Sequence, residues 1–267
     1  MISVIVNGIY ANIEEYVMGL KDFLDTHNVK YRTLSYNDGN IKDTTDINIV
    51  FSGKRVIIDP TKHNILFETQ NNFVRRHNNP PTDYSQFYKI VQFFIESVVA
   101  SNNSIYFPYL YSKHFEGSRM QIKESIPTFY FGSMVDSRPG FIEKFNVKYI
   151  DAVRGKARDT LIHKAKLNII LNRWTNHYRL SVLHAFLIWS KGKIVFVQKT
   201  PHYEIFQDHV VEFIEENYLD LVEYWLSKDG ERIDWGMSIK DDLMKNFDFN
   251  QHLPQLFADI GLSGILK

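Results

Sequence analysis

Short β-branched runs alternate with helix-period stripes along most of this chain. That alternation restricts the fold more than any single residue does, because strand–helix–strand units with short breaks close as parallel α/β layers. "ISVIV" (2–6) ends at Asn7-Gly8. Ile13, Tyr16, Val17, Leu20, Phe23 and Leu24 then recur at helical spacing, with Glu14 and Glu15 in the first turn, where a helix dipole favours acids. "VKYRTLSY" (29–36), "INIVFS" (47–52), "RVIID" (55–59), "NILFETQ" (64–70) and "SIYFPYL" (104–110) read as strands, with Ser52-Gly53-Lys54 as a turn. Phe87, Ile90, Val91, Phe94, Ile95, Val98 and Val99 form a stripe that predicts a helix.

The polar segment 111–126 interrupts this pattern, and a second series follows it. "TFYFGS" (128–133), "VKYIDAV" (147–153), "LNIIL" (167–171) and "GKIVFVQ" (192–198) read as strands. "RPGFIEKF" (138–145), "ARDTLIHKAK" (157–166), the apolar stretch after "NHYR" (176–179), "NYLDLVEYWLSK" (217–228) and "LPQLFADIGL" (253–262) read as helices. The expected architecture is α/β, two Rossmann-like domains in tandem, spanning 1–115 and 116–267. One continuous α/β sheet is the competing arrangement.

With 44% hydrophobic residues among 267, the chain can bury a sizeable core. Lys plus Arg and Asp plus Glu both number 31, so no global field draws the chain onto nucleic acid or anionic lipid, and such binding would need a local patch. The absence of cysteine excludes disulfides, thiolate metal sites and Cys nucleophiles. The N-terminus lacks a basic leader pattern and no apolar stretch is long enough for a membrane span, so a cytoplasmic protein is expected. Walker A, G-x-G-x-x-G, G-x-S-x-G, Asp-x-Asp and H-E-x-x-H sequences are all absent, and no metal site is expected.

The residues left to carry chemistry are glycines and cations at strand ends of the second half. Gly132-Ser133 closes "TFYF", and Arg138 follows. A glycine at the carboxyl end of a parallel strand lets backbone approach an anion, and a nearby Arg can grip phosphate oxygens. Lys156 and Arg158 open the next helix, Lys166 and Arg173 flank "LNIIL", and Arg179 opens the one after. Each feature alone is most often an ordinary turn, cap or solvated loop. Jointly they predict one crevice, because Arg158 and Arg179 sit where a helix dipole disfavours them and an external anion would relieve the clash.

Residues 130–198 resemble the nucleotide-sugar-binding domain of GT-B glycosyltransferases, nearest to the spore-maturation-protein-like (CgeB-like) group and related viral and bacterial enzymes. The resemblance is carried by a "F-x-G-S" strand end with a following Arg (Phe129 or Phe131, Gly132, Ser133, Arg138) and a "G-x-x-R" step (Gly155, Arg158). It continues with "K-I-x-L-N" (Lys166, Leu167, Ile169 or Ile170, Asn168 or Asn172) and an Arg-led helix running into "G-K-x-V" (Arg179, Gly192, Lys193, Val195). It implies two domains facing a cleft, with a nucleotide-diphosphate sugar, most simply a UDP-sugar, bound by the C-terminal one and an acceptor by the N-terminal one. The terminal helix would cross back onto the first domain. Donor contacts would come from Gly8, Gly132, Ser133, Lys156, Arg158, Asn176, Tyr178 and Gln198, with Arg138 and Arg179 stabilising the departing diphosphate. Glu68, after "NILF", is the candidate to activate an acceptor hydroxyl. No cofactor beyond the sugar donor and no metal ion is implied. Asn176 and Gln198 stand where the family often carries Glu.

Three functions follow from this reading. One is metal-independent sugar transfer. Its acceptor could be a modified DNA base in a viral setting, with "KYIDAVRGKAR" (148–158) or "NFVRRHNN" (72–79) as the basic patch and the host cytoplasm as location. A catalytically silent nucleotide-sugar or nucleotide binder is the second, motivated by the Asn176 and Gln198 replacements. A different α/β enzyme acting on phosphorylated ligands is the third.

Overall fold

A computed structural model describes the chain apart from residues 8–12, 37–39, 53–55, 69–82, 94–102, 109, 118–121, 135–136, 152, 173–180, 201–203 and 267. It divides into two compact units, Met1–Leu110 together with Phe249–Lys267, and Tyr111–Asp248.

The first unit holds β1 (Ile2–Asn7), α1 (Glu14–Thr26), β2 (Tyr31–Tyr36), β3 (Ile47–Ser52), β4 (His63–Glu68), β5 (Lys89–Gln92) and β6 (Ser104–Tyr106). The strands form one parallel sheet in the order β2-β1-β3-β4-β5-β6. Its central strands carry continuous apolar runs because both faces are covered: Val4, Ile5, Ile49, Val50, Phe51, Ile65 and Phe67 are fully buried.

Two sequence expectations fail in this unit. The helix predicted from Phe87 to Val99 is not formed at its start, where Lys89–Gln92 is a strand pairing Leu66↔Ile90 and Phe67↔Val91. A short apolar run satisfies helix and buried-strand patterns equally. Here the 3-10 turn Tyr84–Gln86, opened by Asp83 accepting from Ser85 N, delivers Ile90 and Val91 to the sheet. The rest of that stripe, from Phe94 on, lies outside the described residues. The described part of "RVIID", residues 56–59, is also not a sheet strand; Ile57 forms an isolated bridge with Asn40. The Gln86 side chain takes its backbone partners instead, accepting from Ile58 N and donating to Val56 O.

The second unit runs β7 (Ile126–Phe131), α2 (Arg138–Lys144), β8 (Lys148–Ile150), α3 (Gly155–Lys164), β9 (Ala165–Ile170), α4 (Val182–Trp189), β10 (Val195–Gln198), β11 (Val210–Phe213), α5 (Tyr218–Ser227) and α6 (Asp229–Asn246). Its sheet is parallel, in the order β8-β7-β9-β10-β11. One core cluster joins Phe141 of α2 and Tyr218 of α5 to Leu167, Ile169, Phe196 and Phe213 of the strands. Tyr111 and the 3-10 turn Lys113–Glu116 belong to this unit, with Phe115 buried and its carbonyl accepting from Ser190 Oγ and Lys191 Nζ. The last helix, α7 (Phe249–Asp259), lies in the first unit, where Phe257 packs on Phe23 of α1 and Phe249 on Tyr16.

Strand β11 and helix α6 carry no clear signal in the sequence. The inward stripe of α6 is Arg232, Gly236, Ile239 and Leu243, so two of its four buried positions are not apolar. Arg232 is buried because Glu124, Asp229 and Lys166 O accept from its guanidinium. Gly236 lets the helix touch the turn before β10: a Cβ there would stand 2.3 Å from Gly192 O. Gly236→Ala should therefore cost about 2 kcal/mol of stability through overpacking against backbone, read as a lower urea midpoint with an unchanged m-value.

Candidate functional site

Parallel pairing carries every strand of the second sheet to the same carboxyl edge. The strand order reverses between β7 and β9, the switch point at which an α/β sheet opens a crevice for a ligand. Gly132, Ser133, Arg138 and Gln198 lie at this edge, where the strands β7 and β10 end. Gly132 has φ 145°, and a Cβ there would stand 2.6 Å from the Tyr130 hydroxyl, so only glycine fits the turn. Ser133 is exposed beside it.

Arg138, the first residue of α2, reaches across the switch point. Nη1 donates to Ser133 O at 3.0 Å, Nη2 to Leu171 O at 3.0 Å and Nε to Asn172 O at 3.3 Å. Its guanidinium also lies 5.7 Å from the Tyr130 ring centroid. Burial pushes the Tyr130 phenol up to about 12, so it stays a neutral donor to Ser133 O. Sequence reasoning did not anticipate this clamp, in which a cation expected to grip phosphate first ties two strand ends together.

Asn172 makes a second tie. Its backbone N donates to Gln198 Oε1 at 3.1 Å, and its Nδ2 donates to Lys199 O at 2.9 Å and Gln198 O at 3.3 Å. A pocket of about 270 Å³ opens beside these residues, lined by Ser137, Arg138, Phe141, Leu171, Gln198 and Glu215.

The other expected cations are engaged differently. Arg158 is buried against Asp159, at 3.1 Å, and Lys191 reaches the same carboxylate at 3.3 Å. The anion predicted to relieve Arg158 is thus an internal side chain. Lys166 lies at the start of β9, on the opposite edge, paired with Asp229 at 3.0 Å. Lys156 is exposed in the first turn of α3. Gly8, Arg173, Asn176, Tyr178, Arg179 and the stretch 72–79 lie outside the described residues. In the first unit, Glu68 is buried at the end of β4, its two oxygens 3.0 and 2.9 Å from the Tyr84 hydroxyl and Oε2 accepting from Gln92 at 3.2 Å.

One group at this edge has no precedent among the sequence candidates. His184, in the first turn of α4, sets its ring edge-on to Phe131 with centroids 5.2 Å apart, and its Nδ1 pairs with Ser181 Oγ at 3.0 Å. Burial, then Arg138 and Arg158, push its pKa down to about 4. A lone His in an apolar helix reads as core, and only the hydroxyl three residues before it is a signal. Among the described residues no three His, Asp or Glu side chains converge to hold a metal ion, and no helix is long and apolar enough to cross a membrane.

No protein-family model and no curated protein sequence matches the chain. Solved structures match it over nearly its whole length. An alpha-glucosyltransferase in complex with UDP-glucose and DNA containing an abasic site superposes with a TM-score of 0.65 at 8% identity, over 97% of this chain and 98% of that one. A glycosyltransferase from Rickettsia africae gives 0.64 at 10% identity, over 100% and 98%. The T4 phage enzyme BGT, in complex with UDP and Mn2+, gives 0.59 at 12% identity, over 98% and 100%. The fold is that of the GT-B glycosyltransferases.

Two outcomes follow from this geometry. Arg138→Ala removes a donor from three carbonyls, leaving Ser133 O with the Tyr130 hydroxyl, and should cost about 2 kcal/mol in urea unfolding; Arg138→Lys should recover only part, since an ammonium cannot span all three. The His184 imidazole titrates near 6.5 when unfolded and about 4 when folded, so only the unfolded chain binds the proton between those values. Its contribution is whole above pH 6.5 and is lost as pH falls toward 4. His184→Gln should make Tm fall less steeply than wild type across that window in a pH series of thermal melts.

Proposed function

We propose that this chain is a glycosyltransferase moving a sugar from a nucleotide-diphosphate sugar, a UDP-sugar, to an acceptor hydroxyl. The observation that carries this reading is the switch-point crevice itself. In a chain of GT-B fold, Gly132 exposes backbone there and Arg138 fixes a positive charge between the two strand ends. The wider resemblance of 130–198 to the CgeB-like group supports the same assignment, with Arg179, Asn176 and Tyr178 as further donor contacts.

The bond from the anomeric carbon to the diphosphate oxygen breaks, and the acceptor oxygen bonds to that carbon. Negative charge grows on the departing diphosphate, so cations held in place before reaction lower the barrier. Arg138 is already fixed by its three carbonyls, and Lys156 and Arg179 complete the set in this reading. The chain's own cations then serve where a metal ion would otherwise. The acceptor belongs to the first unit, with the Glu68 carboxylate, held by Tyr84 and Gln92, taking the acceptor proton. DNA carrying a hydroxylated base is the acceptor we favour. The alpha-glucosyltransferase of like fold is bound to DNA, and Lys148, Arg154 and Lys156 offer exposed cations here.

A silent nucleotide-sugar binder is the second reading, favoured by one observation: the Gln198 side chain is neutral and already engaged by Asn172 N. Mass spectrometry after incubation with a panel of UDP- and GDP-sugars and hydroxymethylated DNA separates the two. Transfer should occur with a UDP-sugar, persist in EDTA, and fall at least about a hundredfold in kcat with Glu68→Gln at unchanged donor affinity. Donor-induced thermal stabilisation with no sugar released under any condition supports the silent binder. Loss of turnover in EDTA would instead assign a metal to the reaction.

A further inference from the structure

The polar groups that line the pocket at the carboxyl edge are mostly engaged already. Arg138 donates to three carbonyls, and Glu215 accepts from Lys144. Leu171 and Phe141, both buried, supply apolar surface. Gln198 differs. Asn172 N lies 3.1 Å from one end of its amide, and a backbone N–H only donates, so that end is the oxygen Oε1. The opposite end is thereby fixed as the NH2 group, since a flipped amide would set N–H against N–H at Asn172. Among the described residues Nε2 has no hydrogen-bond partner. The lining therefore presents a donor of set orientation beside apolar surface. Ser137 adds a hydroxyl, which donates or accepts as required and does not discriminate.

We propose that Gln198 is a specificity-determining residue that reads the nucleobase of the sugar donor, its Nε2 donating to the carbonyl oxygen O4 of uracil. The inference rests on the nucleotide-sugar reading and names the part of the donor that this pocket takes. A space of about 270 Å³ with apolar lining suits a flat heterocycle. A sugar ring, with a hydroxyl on nearly every carbon, needs more uncommitted polar groups than this lining holds. Cytosine carries an amino group where uracil carries O4. That amino group would set donor against donor at Nε2, and leaving both unpaired in a confined place costs more than the hydrogen bond itself gains. A glutamate at 198 reverses the preference. One of its oxygens still accepts from Asn172 N, while the other accepts from the cytosine amine and repels the uracil carbonyl. The competing account is a glutamine that only ties β9 to β10, with the base chosen elsewhere.

Isothermal titration with UDP-glucose and CDP-glucose decides between them. Wild type should bind UDP-glucose about tenfold more tightly than CDP-glucose. Gln198→Glu should bring that ratio to one or below. The added carboxylate weakens both diphosphates alike, so the ratio, not either affinity, is the readout. Wild-type binding of CDP-glucose as tight as that of UDP-glucose, or an unchanged ratio in Gln198→Glu, overturns the inference while leaving the nucleotide-sugar reading intact. Failure of wild type to bind either compound overturns that reading, and this one with it. Should Gln198→Glu not fold, wild type is titrated with the 4-thiouracil analogue of UDP-glucose, whose sulfur is a weak acceptor at the same position. Binding several-fold weaker than that of UDP-glucose is expected, and equal binding also overturns the proposal.

Discussion

Pairing of β7 with both β8 and β9 in parallel register is the constraint on which the second unit depends. Strand order must reverse there, so the loops after β7 and β9 diverge, leaving backbone carbonyls at the carboxyl edge without strand partners. Buried or crowded carbonyls need donors. Arg138 supplies three from one planar group and Asn172 supplies two from one amide. The crevice is therefore shaped by satisfying backbone polarity before it meets any ligand, and the positive charge it holds is a consequence of how it is closed.

The two edges of this sheet use charge differently. At the amino edge, Glu124 accepts from Lys193 and Arg232, Arg232 also meets Asp229, and Asp229 meets Lys166. That network balances cations with acids and fastens α6 onto the sheet. At the carboxyl edge, Arg138 is held by neutral carbonyls, which fix its position without cancelling its charge. A charge held in such a partly desolvated place acts on its surroundings more strongly than one in open water. A net charge of zero over the whole chain conceals this asymmetry.

Much of the sheet framework was legible because β-branched runs such as "INIVFS" are bounded by polar breaks, and that span matches β3 residue for residue. Legibility failed where a side chain replaced the pattern. Gln86 satisfies the backbone of Val56 and Ile58, and α6 buries an arginine and a glycine. That Gly132, Ser133, Arg138 and Gln198 stand at the carboxyl edge was readable because strand ends are readable. Arg158 and Lys166 were not, since position along the chain does not reveal which edge a cation faces or which acid meets it. His184 was hidden by its apolar neighbours; burial first, and then guanidiniums from two separate helices, hold its pKa down, and no sequence pattern shows that environment.

Gln198 shows how such placement alters the chemistry expected from a resemblance. A glutamate in its place could accept the Asn172 amide hydrogen as glutamine does, so the tie between β9 and β10 would survive. Its charge, however, would stand in the same pocket lining as Arg138 and offset the guanidinium. Glutamine keeps the hydrogen bond and adds no negative charge to that lining. The uncharged side chain thus keeps the backbone tie without placing a carboxylate beside the guanidinium. The strand-end clamp holds its charge independently of the side chain at 198, because Arg138 is fixed by the carbonyls of Ser133, Leu171 and Asn172 and not by Gln198.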